Sequence, residues 1–315
     1  MCNSNLTNTT FYEIYNAAFK KKPKNLGIKK LSGGLKNRVY LMDDGKTKYI
    51  VKMGPSRNKS VAPIDENTLW WEAKVLEEIK NLNIMSPKLI YYSDGIEKFN
   101  YPFIIMNYME GNTYSECKEN LTIEQKNSIS YSIGQITKKI CSIKKDHFYI
   151  PAFHGKTFKN NYELVLCMFK QLLNIYNKYN INIEGITSKQ ILQLICSKEK
   201  ELKNISNLCL CNTDLWDGNI LIKNGQISGI VDFTDTFYCD ELMSFYFHLP
   251  NGKNDNYFLL GYGNKKLNYA EYVRIEIYRL YVILKMIVDC EIKHYGRFGK
   301  MYTDFSNVYK KLRNI

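Results

Sequence analysis

Leu208-Cys-Leu-Cys-Asn-Thr-Asp-Leu-Trp-Asp-Gly-Asn-Ile-Leu-Ile-Lys-Asn-Gly-Gln-Ile-Ser-Gly-Ile-Val-Asp-Phe233 is the stretch from which the rest of this sequence becomes readable. Asn224-Gly225 stands between two apolar, β-like runs, 219–223 and 226–231. A two-residue type I′ turn needs φ > 0 at both central positions, and Asn-Gly supplies that best, so a hairpin is predicted. A two-residue turn sets Lys223 opposite Gln226 and Ile222 opposite Ile227; further down the ladder Asn219 falls beside Ile230 and Asp217 beside Asp232. Asn219 and Asp232 then meet at the open end of the hairpin, with Asp214 in the loop that feeds it. An amide and a carboxylate oxygen suit a hard cation, and with a second carboxylate nearby they meet the needs of Mg²⁺-assisted phosphoryl transfer.

Asp214-Leu-Trp-Asp-Gly-Asn-Ile-Leu, followed by Ile230-Val-Asp-Phe233, resembles the catalytic loop and metal motif of aminoglycoside phosphotransferases and related small-molecule kinases. That superfamily includes the choline and fructosamine kinases and has a protein-kinase-like fold. The resemblance implies Asp214 as catalytic base and Asn219 with Asp232 as Mg²⁺ ligands. It departs at three places: Asn212 stands where the family has His, Thr234 where Gly follows Asp-Phe, and Ser244 where a later Asp is usual.

Upstream the same order continues. Ile28 to Met42 reads strand, tight turn, strand, with the turn at Ser32-Gly33-Gly34. Lacking Cβ atoms, Gly33 and Gly34 let backbone N–H groups approach a nucleotide's phosphates. In the next strand, Lys48-Tyr-Ile-Val-Lys-Met53, period-2 alternation sets Lys52 on the face of Ile50. A lysine among core-directed residues needs an anion, and by resemblance that anion is the α/β-phosphate pair. Residues 67–80 read as a helix, with Leu69, Ala73, Leu76 and Ile79 along one face and Glu72 beside it. Glu72 corresponds by resemblance to the glutamate that orients Lys52. Two strand-like runs follow, 88–92 and 103–108, and Met106, Asn107 and Tyr108 then match the hinge whose backbone would bond ATP or GTP.

After residue 112 the pattern turns helical. Thr122 and Gln125 have capping-box spacing, Ile129, Ile133, Ile136 and Ile140 line a buried face, and helical patterns recur at 160–179, 188–203 and 268–293. An α+β, bilobal protein-kinase-like fold is therefore expected, with a small β-rich N-lobe over 1–107 and a larger, mainly helical C-lobe over 108–315 that carries catalysis and acceptor binding.

Composition bounds the rest. The chain has 315 residues, 45% hydrophobic and 24% charged, ample for a large core. Nine cysteines, an odd number without a CxxC pair, fit free thiols in a cytoplasmic protein. Cys209-x-Cys211 reads first as part of a core strand, with half of a metal site as the alternative, since no histidine stands at ligand spacing. The N-terminus has no secretory h-region, and no run of about eighteen apolar residues occurs, so no membrane segment is expected. The net charge of +13 is scattered along the chain and not gathered in a stripe, which speaks against a nucleic-acid partner.

The expected partners are therefore a nucleoside triphosphate and a small polar acceptor, acting on a monomer or weak dimer. An aminoglycoside-type antibiotic is the first expectation for the acceptor, which would make the protein a resistance enzyme. A choline/ethanolamine-like or fructosamine-like metabolite kinase is the alternative, and a nucleotide-binding pseudokinase a second. A polycationic acceptor would need local carboxylates, for which Asp235, Asp240 and Glu241 are the first candidates, ahead of Asp289 and Glu291 at the end of the long helical pattern.

Overall fold

The computed structural model describes residues 7–31, 37–55, 68–95, 99–249, 256–293 and 299–315. The Ser32-Gly33-Gly34 turn lies outside them.

Along the chain the elements are α1 (Asn8–Phe19), β1 (Gly27–Lys30), β2 (Arg38–Asp43), β3 (Lys48–Met53), α2 (Thr68–Ile79), β4 (Leu89–Ser93), β5 (Phe103–Asn107), β6 (Asn112–Thr113) and α3 (Tyr114–Cys117). Then come α4 (Ile123–Ile140), α5 (Asn161–Lys178), α6 (Ser188–Ser197), α7 (Glu199–Lys203), β7 (Leu208–Asn212), β8 (Ile220–Lys223), β9 (Gln226–Ile230), β10 (Thr236–Asp240), α8 (Asn256–Gly261), α9 (Tyr269–Lys293) and α10 (Gly299–Asn314). They form two compact units. One comprises Met1–Gln125 with Asp214–Thr236, the other Lys126–Thr213 with Phe237–Ile315.

The first unit is built on an antiparallel five-stranded sheet in the order β1-β2-β3-β5-β4. Strand alternation divides β3. Tyr49, Val51 and Met53 enter a core with Phe11, Ile14 and Tyr15 of α1 and with Met42, Phe103 and Ile105. Ile50 and Lys52 take the opposite face. In α2 the expected face of Leu69, Ala73, Leu76 and Ile79 is buried, and so are Trp71, Glu72 and Val75. A helix buried that widely needs partners for its polar groups, and Glu72 and Trp71 find theirs around Asp232, as described below.

The same unit holds the predicted hairpin. Asn224 (φ 55°) and Gly225 (φ 73°) make the left-handed pair at its tip. Lys223 pairs with Gln226 and Ile222 with Ile227, after which the register shifts: Leu221 faces Gly229 and Ile220 faces Ile230. The extra residue is Ser228, whose hydroxyl donates to the Glu110 carbonyl at 2.7 Å. Asn219 consequently lies beside Val231, whose N–H donates to its carbonyl at 2.9 Å, and not beside Ile230 as an unbulged ladder requires.

The second unit is mainly helical, with β7 and β10 as its one sheet among the described residues. The α9 residues Tyr278, Leu280, Tyr281, Leu284 and Ile287 are buried as their spacing requires. Near Gly134 of α4 the α8 backbone approaches so closely that a Cβ there would lie 2.1 Å from the Phe258 carbonyl oxygen. α10, absent from the sequence expectations, buries Phe305, Val308, Tyr309 and Leu312, an i, i+3, i+4, i+7 pattern that marks an amphipathic helix.

Candidate active site

Asp214, Asn219, Asp232, Lys52 and Glu72 all belong to the first unit. They form two bonded groups. In one, Lys52 Nζ donates to Glu72 Oε1 at 2.7 Å and to Asp232 Oδ1 at 3.0 Å, joining side chains 20 and 180 residues apart in sequence. In the other, Asn219 Nδ2 donates to the Asp214 carbonyl at 2.8 Å and to Asp214 Oδ2 at 3.0 Å.

Local chemistry explains each position. Asp232 sits at φ 64°, in the left-handed region that aspartate tolerates better than most residues. That turn aims the Phe233 N–H at Glu72 Oε1, 3.2 Å away, so the glutamate accepts from both the lysine and the loop. Trp71, next to Glu72, donates its indole N–H to the Thr236 carbonyl. Two adjacent α2 side chains thus hold both ends of segment 233–236. Thr234, where the resembling families have glycine, donates its hydroxyl to Asp232 Oδ1 at 2.7 Å. In the other loop, the Trp216 N–H donates to the Asp214 carbonyl and the Asn219 N–H to the Trp216 carbonyl, both at 2.9 Å. The indole of Trp216 lies over Gly218, where a Cβ would meet the ring at 2.3 Å. Lys118 closes the outside of this loop with a 2.7 Å ion pair to Asp217.

The electrostatics separate the two carboxylates bonded to Lys52. Burial would raise the Asp232 carboxyl, but the Lys52 ammonium and the Thr234 hydroxyl outweigh it and hold the group below its ordinary value. Burial has the larger hand on Glu72. Although Lys52 opposes it, the carboxyl stands above its ordinary value, and Oε2 has no hydrogen-bond partner among the described residues. Burial pulls the Lys52 ammonium down, yet the two carboxylates overcompensate and raise it. Asp232 is thus an anionic oxygen donor with a side chain 38% exposed. Asn219 directs its NH₂ at Asp214, which leaves its amide oxygen as the atom for a cation. A half-exposed carboxylate and an amide oxygen are the hard donors Mg²⁺ takes, with water and phosphate oxygens completing its shell, so the residues present fit that ion.

Met106 pairs with Ile50 across β3 and β5, and Ile104 with Lys52, so Met106 lies on the lysine's face of the sheet. The N–H groups of Asn107 and Tyr108 are already committed, donating to the carbonyls of Lys88 at 3.3 Å and Lys48 at 3.2 Å.

The expected acceptor carboxylates separate. Asp235 is half-buried and close enough to raise the Asp232 carboxyl. Asp240 and Glu241 belong to the second unit and require correction. Asp240 is fully buried, accepting from Arg274 Nε at 2.8 Å and the Tyr278 hydroxyl at 2.7 Å. Glu241 is 5% exposed and accepts from Asn207, Tyr262 and Lys265. Both carboxylates neutralise internal donors and present no oxygen to a cationic acceptor. Thr234 stands out in the sequence as a departure from the family's glycine, but its bond to Asp232 was not expected, and Trp71 was not singled out at all. A hydroxyl two residues past Asp232 is a signal for that bond; Trp71's partner, 165 residues away, leaves none.

The sequence model described as the phosphotransferase enzyme family matches residues 27–258. No curated protein matches the sequence. Among solved structures, a putative fructosamine-3-kinase from Haemophilus somnus is similar at 13% identity and TM-score 0.72, covering 96% of each chain. Aminoglycoside phosphotransferase APH(2'')-Ib with ADP bound is similar at 20% identity and TM-score 0.64, over 96% of this chain and 97% of that one. The aminoglycoside phosphotransferase APH(4)-Ia in its ternary complex with AMP-PNP and hygromycin B is similar at 13% identity and TM-score 0.64, over 96% of each chain. At these identities the likeness carries the fold, which is the kinase-like α+β fold.

Proposed function

The chain belongs to the phosphotransferase enzyme family, and from that premise we propose that it transfers the γ-phosphate of ATP or GTP to a hydroxyl of an aminoglycoside-type acceptor. The observation that carries the reading is the Lys52–Glu72–Asp232 cluster in the same unit as the bonded Asp214–Asn219 pair. Glu72, buried and braced by Phe233 N–H, fixes the ammonium of Lys52 where it can meet phosphate oxygens. Asp232 and the amide oxygen of Asn219 would hold Mg²⁺, which when bound supplies charge neutralisation on the phosphates. Asp214 accepts a hydrogen bond from the acceptor hydroxyl and takes its proton as the new bond to phosphorus forms. Asn219 keeps the carboxylate of Asp214 oriented for that. Phosphoryl transfer through a loose transition state leaves the protein mainly positioning and charge stabilisation, which these residues offer.

A second reading has its own observation. Asp240 and Glu241 are committed internally, which leaves a polycation fewer carboxylates to meet, against a net charge of +13. Trp216, two residues past Asp214 and 44% exposed, offers an aromatic face suited to a less charged sugar-amine, as in a fructosamine-like kinase. Coupled ADP and GDP assays over aminoglycosides, fructosyl-amines and amino-alcohols test both. Turnover of aminoglycosides with KM raised several-fold by Asp235→Asn supports the first reading. Turnover of fructosyl-amines alone, with KM raised by Trp216→Ala, supports the second. Asp214→Ala should reduce kcat about 10³-fold while nucleotide affinity holds, and turnover near wild type would remove Asp214 as the base. Nucleotide binding without turnover of any acceptor leaves the pseudokinase.

A further inference from the structure

Away from the phosphotransfer residues, the second unit gathers thiols. Cys141 follows α4 directly, and Cys209 and Cys211, two apart in β7, share one side of that strand. The segment after α4 is pinned along β7 by the Leu210 N–H, which donates to the Ile143 carbonyl at 2.8 Å, and by a bridge between Lys144 and Cys209. The Sγ atoms of Cys141, Cys209 and Cys211 consequently all lie within 4.8 Å of one another, with Cys209 and Cys211 at 3.6 Å. All three residues are buried, at 2%, 0% and 0% exposure. No other group of three His, Cys, Asp or Glu side chains approaches this closely among the described residues.

We propose that Cys141, Cys209 and Cys211 form a three-thiolate site for a thiophilic closed-shell monocation, Cu⁺. Sulfur–metal bonds of about 2.3 Å in a trigonal plane set neighbouring sulfurs about 4.0 Å apart, close to the 3.6 Å between Cys209 and Cys211 and within the 4.8 Å that bounds all three pairs. Thiolates select Cu⁺ or Zn²⁺, and coordination number decides between the two. A structural zinc site closes with four ligands, and the nearby donor that could serve as a fourth, Glu241, already bonds Asn207 and Tyr262 through Oε2 and Lys265 through Oε1. The Cys239 sulfur in β10 lies against Cys211 but not within 4.8 Å of all three sulfurs, so it does not complete a tetrahedron. Binding is a ligand exchange without electron transfer: Cu⁺ + 3 R–SH → [Cu(SR)₃]²⁻ + 3 H⁺. The proton that Cys211 now offers to the carbonyls of Cys209 and Asp240, each 3.4 Å away, leaves with the other two. Because the thiols are buried, loading accompanies folding.

The test uses the full chain with Cys2, Cys117, Cys167, Cys196 and Cys290 changed to Ser, so that only the buried thiols remain. The protein is refolded anaerobically with Cu⁺ in the presence of a Cu⁺ chelator, and in parallel with Zn²⁺. One Cu⁺ retained per chain, a thiolate-to-copper absorption band and a raised thermal midpoint are expected. Cys209→Ala or Cys141→Ala should each weaken retention at least 100-fold, and either variant suffices if the other fails to fold. Copper left wholly on the chelator, or retained equally without Cys209 and Cys141, overturns the proposal, as does tighter retention of Zn²⁺. Phosphotransfer enters none of these readouts, so the result is independent of the kinase reading.

Discussion

Lys52→Met tests the buried cluster most directly, because its effect on stability follows from the exposures of the two carboxylates it leaves behind. Asp232, with a side chain 38% exposed, can be rehydrated when the ammonium goes. Glu72, with a side chain 1% exposed, cannot: it would keep the Phe233 N–H alone, with Oε2 already unpartnered. Removing one partner of a buried pair typically costs about 3–5 kcal/mol. The lower end applies here, since Glu72 already sits above its ordinary pKa and escapes by taking up a proton. A loss of about 3 kcal/mol, at a urea slope of about 2 kcal/mol/M, moves the unfolding midpoint down by about 1.5 M. Adding Glu72→Gln removes the stranded charge, so the double variant should recover about 2 kcal/mol of that loss. The pH dependence has a definite sign. Without Lys52 the influence lowering the Glu72 carboxyl is gone, so its folded pKa climbs further above the unfolded value of about 4.3. Stability of the single variant is then lost as pH rises from about 4.3 through the folded pKa, and the gap to the double variant narrows towards acid. Urea unfolding of wild type, both singles and the double at pH 5 and pH 8 measures this. Intrinsic fluorescence is the probe, since Trp70, Trp71 and Trp216 all belong to the first unit. Additive losses at both pH values would refute the pairing argument.

Other predictions address the scaffold. Arg274→Met strands the fully buried Asp240 carboxylate and should cost about 3–5 kcal/mol in thermal or urea unfolding, with Asp240→Asn restoring much of it. Tyr15→Phe removes a 2.7 Å hydrogen bond to Asp44, worth about 1 kcal/mol at pH 8. Burial and Asp44 push the Tyr15 phenol up to about 12, so unfolded tyrosine ionises first, near pH 10. The lead of wild type over Tyr15→Phe should therefore shrink between pH 10 and pH 12. Gly134→Ala should lower the thermal midpoint despite the gain of about 1 kcal/mol in helix propensity, because its Cβ would strike the Phe258 carbonyl 2.1 Å away. An unchanged or raised midpoint would show that α4 and α8 can move apart.

What could be read from the sequence was short-range or periodic. Asn224-Gly225 required a left-handed turn whatever surrounded it, and alternation along 48–53 put Lys52 opposite the face of Tyr49, Val51 and Met53. The order of Lys52, Glu72, Asp214, Asn219 and Asp232 along the chain carried the resemblance to the family. Tertiary structure decided everything that depended on a distant partner. The bulge at Ser228 moved Asn219 one place along the ladder, because the serine hydroxyl finds the Glu110 carbonyl across 118 residues. Asp240 and Glu241 follow Asp232 closely enough in sequence to be read as substrate ligands. They are claimed instead by Arg274 and Tyr278 of α9 and by Asn207, Tyr262 and Lys265, since a buried carboxylate must find donors. Cys141 meets Cys209 and Cys211 for the same kind of reason. Backbone pairing along β7 brings the end of α4 to thiols 68 and 70 residues further on, a proximity that no spacing in the chain encodes.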